Sequence, residues 1–376
     1  MKRFPSIFLS IALLSLLISA CASDETVPRK WISHRGVDLN HTIAGENSLE
    51  AVAYARMVGF DCIETDVRTT SDGILVCMHD ETINRTCLNK DGSEIQEKTR
   101  VCDLTFDELR SGYKLKADSE DMRSQVPTLE EYLTCCKENG LLVFIEPKLK
   151  DSTGENYLRI MEIADRIFGR DGYIITSNNF ANDVIRNTLG ISDVKVMTIL
   201  YQTTYEAVQA LGNSVMAISS TRFSKEDFAK NMEKAVADGF ETESNTDNFP
   251  RMDMINKAHV DYISTDLLLP DYKGLGKLAY DLRSPSKWNK LGKHGQVGFG
   301  ALFLEMTYAG EAEITLGKQT FTINESNGID AGNGFRTISF QILLYKENPV
   351  AEIKATSSGF NVKDSRLRLV EFPQSL

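Results

Sequence analysis

Eight short apolar segments, separated by amphipathic stretches, run from Trp31 to about Asp266, and this alternation restricts the fold more than any other feature of the chain. The segments are WISH, CIETDV, LLVFIEPK, YIITSN, KVMTIL, VMAISS, FETES and YISTD. Each has the length and β-branched content of a buried strand. Between them lie helical patterns such as NSLEAVAYARMVG, PTLEEYLTCCKENG and SKEDFAKNMEKAVADG, each closing on a glycine suited to a C-cap. Strand and helix repeated eight times over roughly 240 residues predict an α/β fold of the (β/α)8 TIM-barrel type across residues 30–267. A doubly wound sheet is the alternative, because periodicity does not show closure. Residues 268–284 are rich in Gly, Pro and Lys and read as a linker. Beyond it, residues 285–376 alternate apolar and polar positions between Gly- and Asn-containing turns, the pattern of a smaller antiparallel β-sandwich.

In a barrel of this kind the residues at the C-terminal strand ends form the site. Glu64 and Asp66 sit two apart on the second predicted strand and therefore share one face. Two like charges so close are costly unless a cation or water serves both. A hairpin turning at Asp72-Gly73 brings the chain back through ILVCM to His79, and the third strand ends in Glu146-Pro147-Lys148. The first strand ends in Ser33-His34-Arg35-Gly36. Three carboxylates, Glu64, Asp66 and Glu146, make an oxygen donor set for Mg²⁺ or Ca²⁺ rather than for zinc. His34 and His79 beside them suit proton transfer, one as base and one as acid. Arg35 and Lys148 add positive charge for a phosphate. A small-molecule phosphodiester fits this set better than an ester or amide.

The termini and the charge balance narrow the setting. Lys2 and Arg3 precede an apolar run from Ile7 to Ile18, too short to span a bilayer comfortably, that closes on Ile18-Ser19-Ala20-Cys21. Removing residues 1–20 takes away both of those cations and no acid, so the net charge of −11 becomes two units more negative. So acidic a chain has no footprint for nucleic acid. Of the seven cysteines, Cys87 and Cys102 bracket a polar loop that a disulfide could staple. Cys62 reads as a small core filler, and no zinc spacing is present. The connection from Arg68 to Val126 is long for a strand-to-helix loop, and such loops usually carry function.

Two resemblances add to this reading. The ending Ile-Ser-Ala-Cys resembles the lipobox of bacterial lipoproteins, which implies a signal peptide over residues 1–20, lipidation of Cys21, a tether over 21–29 and attachment to a membrane face of the bacterial envelope. The ordered series His34-Arg35-Gly36, Glu46-Asn47-Ser48, Glu64-Thr65-Asp66, Asp72-Gly73, His79-Asp80, Arg85-Thr86, Pro127-Thr128-Leu129-Glu130-Glu131 and Glu146-Pro147-Lys148 resembles the signature of the glycerophosphodiester phosphodiesterase family. That family implies a TIM barrel that hydrolyses glycerophosphodiesters to glycerol 3-phosphate and an alcohol with a divalent cation. By the same resemblance Glu64, Asp66 and Glu146 hold the metal, and His34 and His79 exchange protons. Arg35 and Lys148 hold phosphate, and Glu46 steadies the metal or the substrate hydroxyls. The family mechanism passes through a cyclic phosphate formed by a neighbouring substrate hydroxyl. Thr242-Glu243-Ser244-Asn245-Thr246 stands where members commonly carry a Trp-Thr-Val-Asn-like stretch, which removes an apolar wall and sets Glu243 at the mouth. Ser264-Thr265-Asp266 resembles the terminal strand end of the family and reads as structural. His41, His259 and His294 match no motif. Two other activities stay open: a phospholipase D-like enzyme on lysolipids or sphingolipids, and a non-catalytic lipoprotein binding a phosphorylated glycan, with the sandwich as a possible glycan module.

Overall fold

The structure is a computed structural model that describes residues 29–36, 43–177, 180–246, 249–270, 272 and 274–374. Cys21, the expected signal peptide and His41 lie outside the described residues. Eight parallel strands form the barrel, with Leu75–Cys77 added antiparallel to the second: β1 (Lys30–Ser33), β2 (Cys62–Thr69), β3 (Leu142–Pro147), β4 (Tyr173–Ser177), β5 (Val196–Ile199), β6 (Ser214–Ala217), β7 (Glu241–Asn245) and β8 (Tyr262–Thr265). Each pairs in parallel with its neighbour in sequence, and β8 pairs back to β1. The ring is closed, which excludes the doubly wound arrangement. The interior is filled by one side chain or two from successive strands, among them Ile32, Cys62, Phe144, Ile174, Met197 and Tyr262. This packed plug closes the barrel below its mouth.

The helices outside follow from local sequence. Ser48 caps the helix Leu49–Val58 by accepting from the backbone N–H of Ala51, and Gly59 ends it at φ 100°, where a side chain would be strained. Thr128 and Glu131 form a capping box at the start of Leu129–Glu138. The apolar faces of both helices bury Tyr54, Met57, Tyr132 and Leu133 against the outward-facing residues Ile63, Val143 and Ile145.

The long connection after β2 is a packed lobe. Val76, Met78, Ile83, Cys87, Val101, Leu109, Leu115 and Val126 form a core of their own, edged by the antiparallel pair Cys87–Asn89 and Tyr113–Leu115. Cys87 faces that core while Cys102 is exposed on a 3-10 turn, and both are free thiols. The staple that the sequence allows across this loop is not formed, since the two side chains point into different surroundings.

A five-stranded and a three-stranded antiparallel sheet make up the C-terminal sandwich. Residues 277–282, expected within the linker, form an edge strand paired with Asn361–Glu371. Only Leu282 of that strand is buried, so the apolar alternation that marks a strand in the sequence is weak there. In Val297–Ala309, Leu302, Leu304 and Met306 point into the sandwich core, whereas Phe299, Ala301 and Phe303 point at the barrel. The rings of Phe299 and Tyr54 lie 4.6 Å apart, fixing the sandwich on the helix Leu49–Val58. Burial of each such ring is worth about 1.5–3 kcal/mol. Gly274 sits so close to that helix that a Cβ would come 2.5 Å from the carbonyl oxygen of Met57. The sandwich is thus docked on the barrel through a strand buried on both faces.

Candidate active site

Strand pleating brings the acids together. Glu64 and Asp66 share the inner face of β2, and Asp66 is the register partner of Glu146 on β3. One carboxylate oxygen from each of Glu64, Asp66 and Glu146 lies within 4.8 Å of the others. Glu64 and Asp66 are buried, and Glu146 is partly exposed. Glu64 Oε1 is buried without a hydrogen-bond donor, and Asp66 Oδ1 has only a 3.3 Å ionic contact with Lys148 Nζ. Burial, followed by the charge of Asp66, pushes the Glu64 carboxyl up to about 8. Orphaned, crowded oxygens of this kind suit a hard divalent cation, which would satisfy them and cancel their repulsion. The donor set fits such an ion, which Glu64, Asp66 and Glu146 would hold.

The turn after β1 is built around this cluster. Arg35 adopts φ 58° and Gly36 φ 96°, and a Cβ on Gly36 would meet that of Ala51 at 2.4 Å. The turn aims the Arg35 backbone N–H at Glu64 Oε2 (3.2 Å) and its guanidinium Nε at Asp66 Oδ2 (3.2 Å). Asn47, also at φ 58°, donates from Nδ2 to Asp66 Oδ2 at 3.1 Å and accepts from Thr65 Oγ1 at 2.8 Å. Two left-handed non-glycine residues on one cluster are backbone strain held where the site is assembled. Lys148 Nζ lies 2.6 Å from Glu146 Oε1, and these acids, against the effect of burial, raise its pKa.

Each histidine is held by an aspartate. His34 Nδ1 bonds Asp266 Oδ1, and its Nε2 lies 3.7 Å from Glu64 Oε2. Burial alone would lower the His34 pKa, but Asp266 and Glu64 outweigh it and raise it to about 9. His79 Nδ1 bonds Asp80 Oδ1 at 2.6 Å. Arg85 holds Asp80 in turn, through Nε to Oδ2 at 2.6 Å. Burial would raise the Asp80 pKa, yet the bonds from Arg85 and His79 bring it down to about 2. Arg68 donates to the His79 carbonyl at 2.8 Å and to that of Lys148 at 3.2 Å, tying the lobe to β3.

The fold gives two residues named from the sequence partners that their motifs do not show. Glu46 is not among the clustered oxygens: Arg85 takes both of its oxygens, each at 2.8 Å. Asp266, read as a structural strand end, is the partner of His34 from 232 residues away. Asn47, Asp80 and Arg85 belong to motifs visible in the sequence, but only the fold gives them these contacts. Because Glu46 is buried and Arg85 half exposed, Glu46→Ala is expected to cost about 1–3 kcal/mol, less than breaking a wholly buried pair. Urea unfolding measures this, and unchanged stability would show that the pair contributes nothing.

The matching family model is the glycerophosphoryl diester phosphodiesterase family, over residues 34–268. Mouse (Mus musculus) glycerophosphodiester phosphodiesterase 1 is 38% identical over 122 residues, 31% of this chain and 33% of that protein. A glycerophosphodiester phosphodiesterase of Caldanaerobacter subterraneus subsp. tengcongensis is 36% identical over 118 residues, 31% of this chain and 44% of that protein. The matched segments thus span a third to less than half of these curated relatives. Among solved structures, the glycerophosphodiester phosphodiesterase of Agrobacterium tumefaciens superposes with a TM-score of 0.52 at 22% identity, covering 65% of this chain and 98% of that one. An Oleispira antarctica phosphodiesterase in complex with the product sn-glycerol-3-phosphate superposes with a TM-score of 0.52 at 21% identity, over 63% and 92% of the two chains. These two likenesses concern the fold. The family model spans the barrel from His34 at the end of β1 to just past Asp266, and so takes in the acid cluster with both histidines; the chain belongs to the glycerophosphoryl diester phosphodiesterase family.

Proposed function

We propose that the protein is a divalent-cation-dependent phosphodiesterase that hydrolyses glycerophosphodiesters to glycerol 3-phosphate and an alcohol. The observation that carries this reading is the convergence of Glu64, Asp66 and Glu146, with orphaned oxygens, 3.7 Å from His34, with a second aspartate-held histidine, His79, on the return that Met78 pins to the Asp66 backbone. Mg²⁺ or Ca²⁺ bound to those carboxylates would supply Lewis-acid polarisation of the phosphoryl group.

The remaining roles fall to side chains of the chain itself. With Nδ1–H directed at an aspartate, each imidazole keeps Nε2 for proton exchange with the substrate. His34 and His79 approach from different elements, the end of β1 and the lobe after β2, so one serves as base while the other protonates the departing oxygen. Arg35 and Lys148, now on Asp66 and Glu146, supply positive charge for the non-bridging phosphate oxygens. The cavity beside the cluster is lined by hydroxyl, amide and charged groups as well as an apolar floor, which favours a compact polar diester over a lysolipid chain.

The test is direct. The purified chain, incubated with glycerophosphoglycerol or glycerophosphocholine and MgCl₂ or CaCl₂, is expected to release glycerol 3-phosphate, and excess chelator to stop the release. Chelator-resistant turnover, or none on any glycerophosphodiester, would overturn the proposal.

A further inference from the structure

The cavity of about 310 Å³ at the barrel mouth runs from His34, Glu64 and Glu146 across to the ends of β5–β8. One carboxylate on that far side plays no part in the chemistry above. Glu243 on β7 lines the cavity and is 5% exposed. Its Oε1 accepts a hydrogen bond from Ser264 Oγ, and no ion pair joins it to any cation among the described residues. A buried carboxylate with no paired cation, eased only by Ser264 and by the charge of His34 across the cavity, is expensive, and an apolar residue would close the barrel wall at lower cost. The cost shows in the Glu243 carboxyl itself, which burial pushes up to about 7. A group kept at such cost in a cavity wall points to a ligand.

The surroundings select the chemistry of that ligand. Gln202, Ser219, Thr221 and Asn245 line the same side, offering hydroxyls and amides within the cavity. Arg222 stands at the rim with its guanidinium 5.0 Å from the centre of the Tyr201 ring, also without an ion pair among the described residues. Arg222 and His34 share the cavity with Glu64, Glu146, Asp266 and Glu243, so the sign of charge does not select the ligand and hydrogen bonding does. A trimethylammonium has no N–H or O–H to donate, so it would leave the hydrogen-bond acceptors of Glu243 and of the neighbouring amides unmet. A diol meets both demands, because its hydroxyls donate to the carboxylate and accept from the amides.

We propose that Glu243 is a specificity-determining residue: its carboxylate accepts hydrogen bonds from hydroxyls of a polyol portion of the substrate, and the cavity discriminates against ammonium-bearing groups. The assignment to a substrate rests on the phosphodiesterase reading above, so its test reads binding separately from turnover.

Titration calorimetry on the full chain in MgCl₂, with glycerol 3-phosphate, inositol 1-phosphate and phosphocholine, supplies that test. The polyol esters are expected to bind at least ~10-fold more tightly than phosphocholine, as befits a site built to hydrogen-bond hydroxyls. Glu243→Gln keeps the shape but removes the charge, and is expected to weaken both polyol esters by about tenfold while phosphocholine stays within about twofold. Ser264→Ala, which removes the donor that orients Glu243, gives a smaller loss with the same selectivity and guards against misfolding of the first variant. Phosphocholine binding as tightly as the polyols, or either variant weakening all three ligands alike, would overturn the proposal. Turnover of glycerophosphoglycerol in the same preparations reports on the phosphodiesterase reading alone: polyol preference without turnover would remove that reading and leave this one standing.

Discussion

His79→Ala is expected to lower kcat on a glycerophosphodiester by about 10²–10⁴-fold, the usual contribution of a positioned acid or base. The same loss is expected for His34→Ala. Neither imidazole substitutes for the other, because each is fixed by its own aspartate on a different element: His34 by Asp266 at the end of β8, His79 by Asp80 in the lobe. The two changes should also be far from additive, since one proton leaves and another arrives within the same reaction. The double variant is therefore expected to retain about the activity of the worse single one. The measurement is steady-state kinetics on both single variants and the double, with cation binding followed in parallel. Retained cation binding separates a lost proton carrier from a collapsed site. A kcat for His79→Ala within about threefold of the parent would leave this histidine outside the chemistry.

Asp66→Asn is the second change with a large expected effect, and its two consequences have opposite signs. Replacing a partner behind the ligands of a metal site typically costs 10–100-fold in affinity, so loss of a ligand itself should weaken Mg²⁺ or Ca²⁺ binding by about 100-fold or more. Turnover at modest cation concentration should fall with it. In chelator, by contrast, the variant should melt at a higher temperature than the parent. Asp66 crowds Glu64 and Glu146 within one cluster, and removing its charge relieves a repulsion that nothing else offsets fully in the metal-free chain. Arg35 and Lys148 limit the gain, since both would lose an ionic partner. Calorimetry of cation binding and thermal melts with and without chelator measure the two effects. A variant that binds cation normally, or one that is destabilised in chelator, would show that Asp66 serves packing rather than a metal.

The arrangement also explains the length of the connection after β2. His79 does not lie on a barrel strand; the chain must leave β2, turn at Gly73 and return through Leu75–Cys77 to place it beside Asp66. The backbone N–H of Met78 bonds the Asp66 carbonyl at 2.9 Å, which locks the return next to the cluster. The remainder of the lobe, with its separate core, carries Arg85 to the Asp80–Glu46 pair. A bare loop would hold His79 with far less precision than this packed unit does.

The eight barrel strands, the more regular helices between them, such as Leu49–Val58, Leu129–Glu138 and Lys225–Ala237, and the pairing of Glu64 with Asp66 on one face were legible in the sequence, because each depends on a short repeat. A period of two sets the facing of a strand, a period of 3.6 sets that of a helix, and caps such as Ser48, Gly59 and Thr128 act within a few residues. The edge strand at 277–282 escaped because it leaves nearly every side chain in water and so lacks that period. What only the tertiary structure decided are the contacts that closure of the ring creates. Asp266 reaches His34 because β8 pairs with β1, and Ser264 reaches Glu243 because β7 and β8 lie side by side. Glu46 is drawn to Arg85 by the folded lobe, and the sandwich meets the helix Leu49–Val58 through the outer face of one strand. Local periodicity tells a side chain which way to point; its partner, a hundred or more residues away, is chosen by hydrogen-bond register and burial across the whole chain.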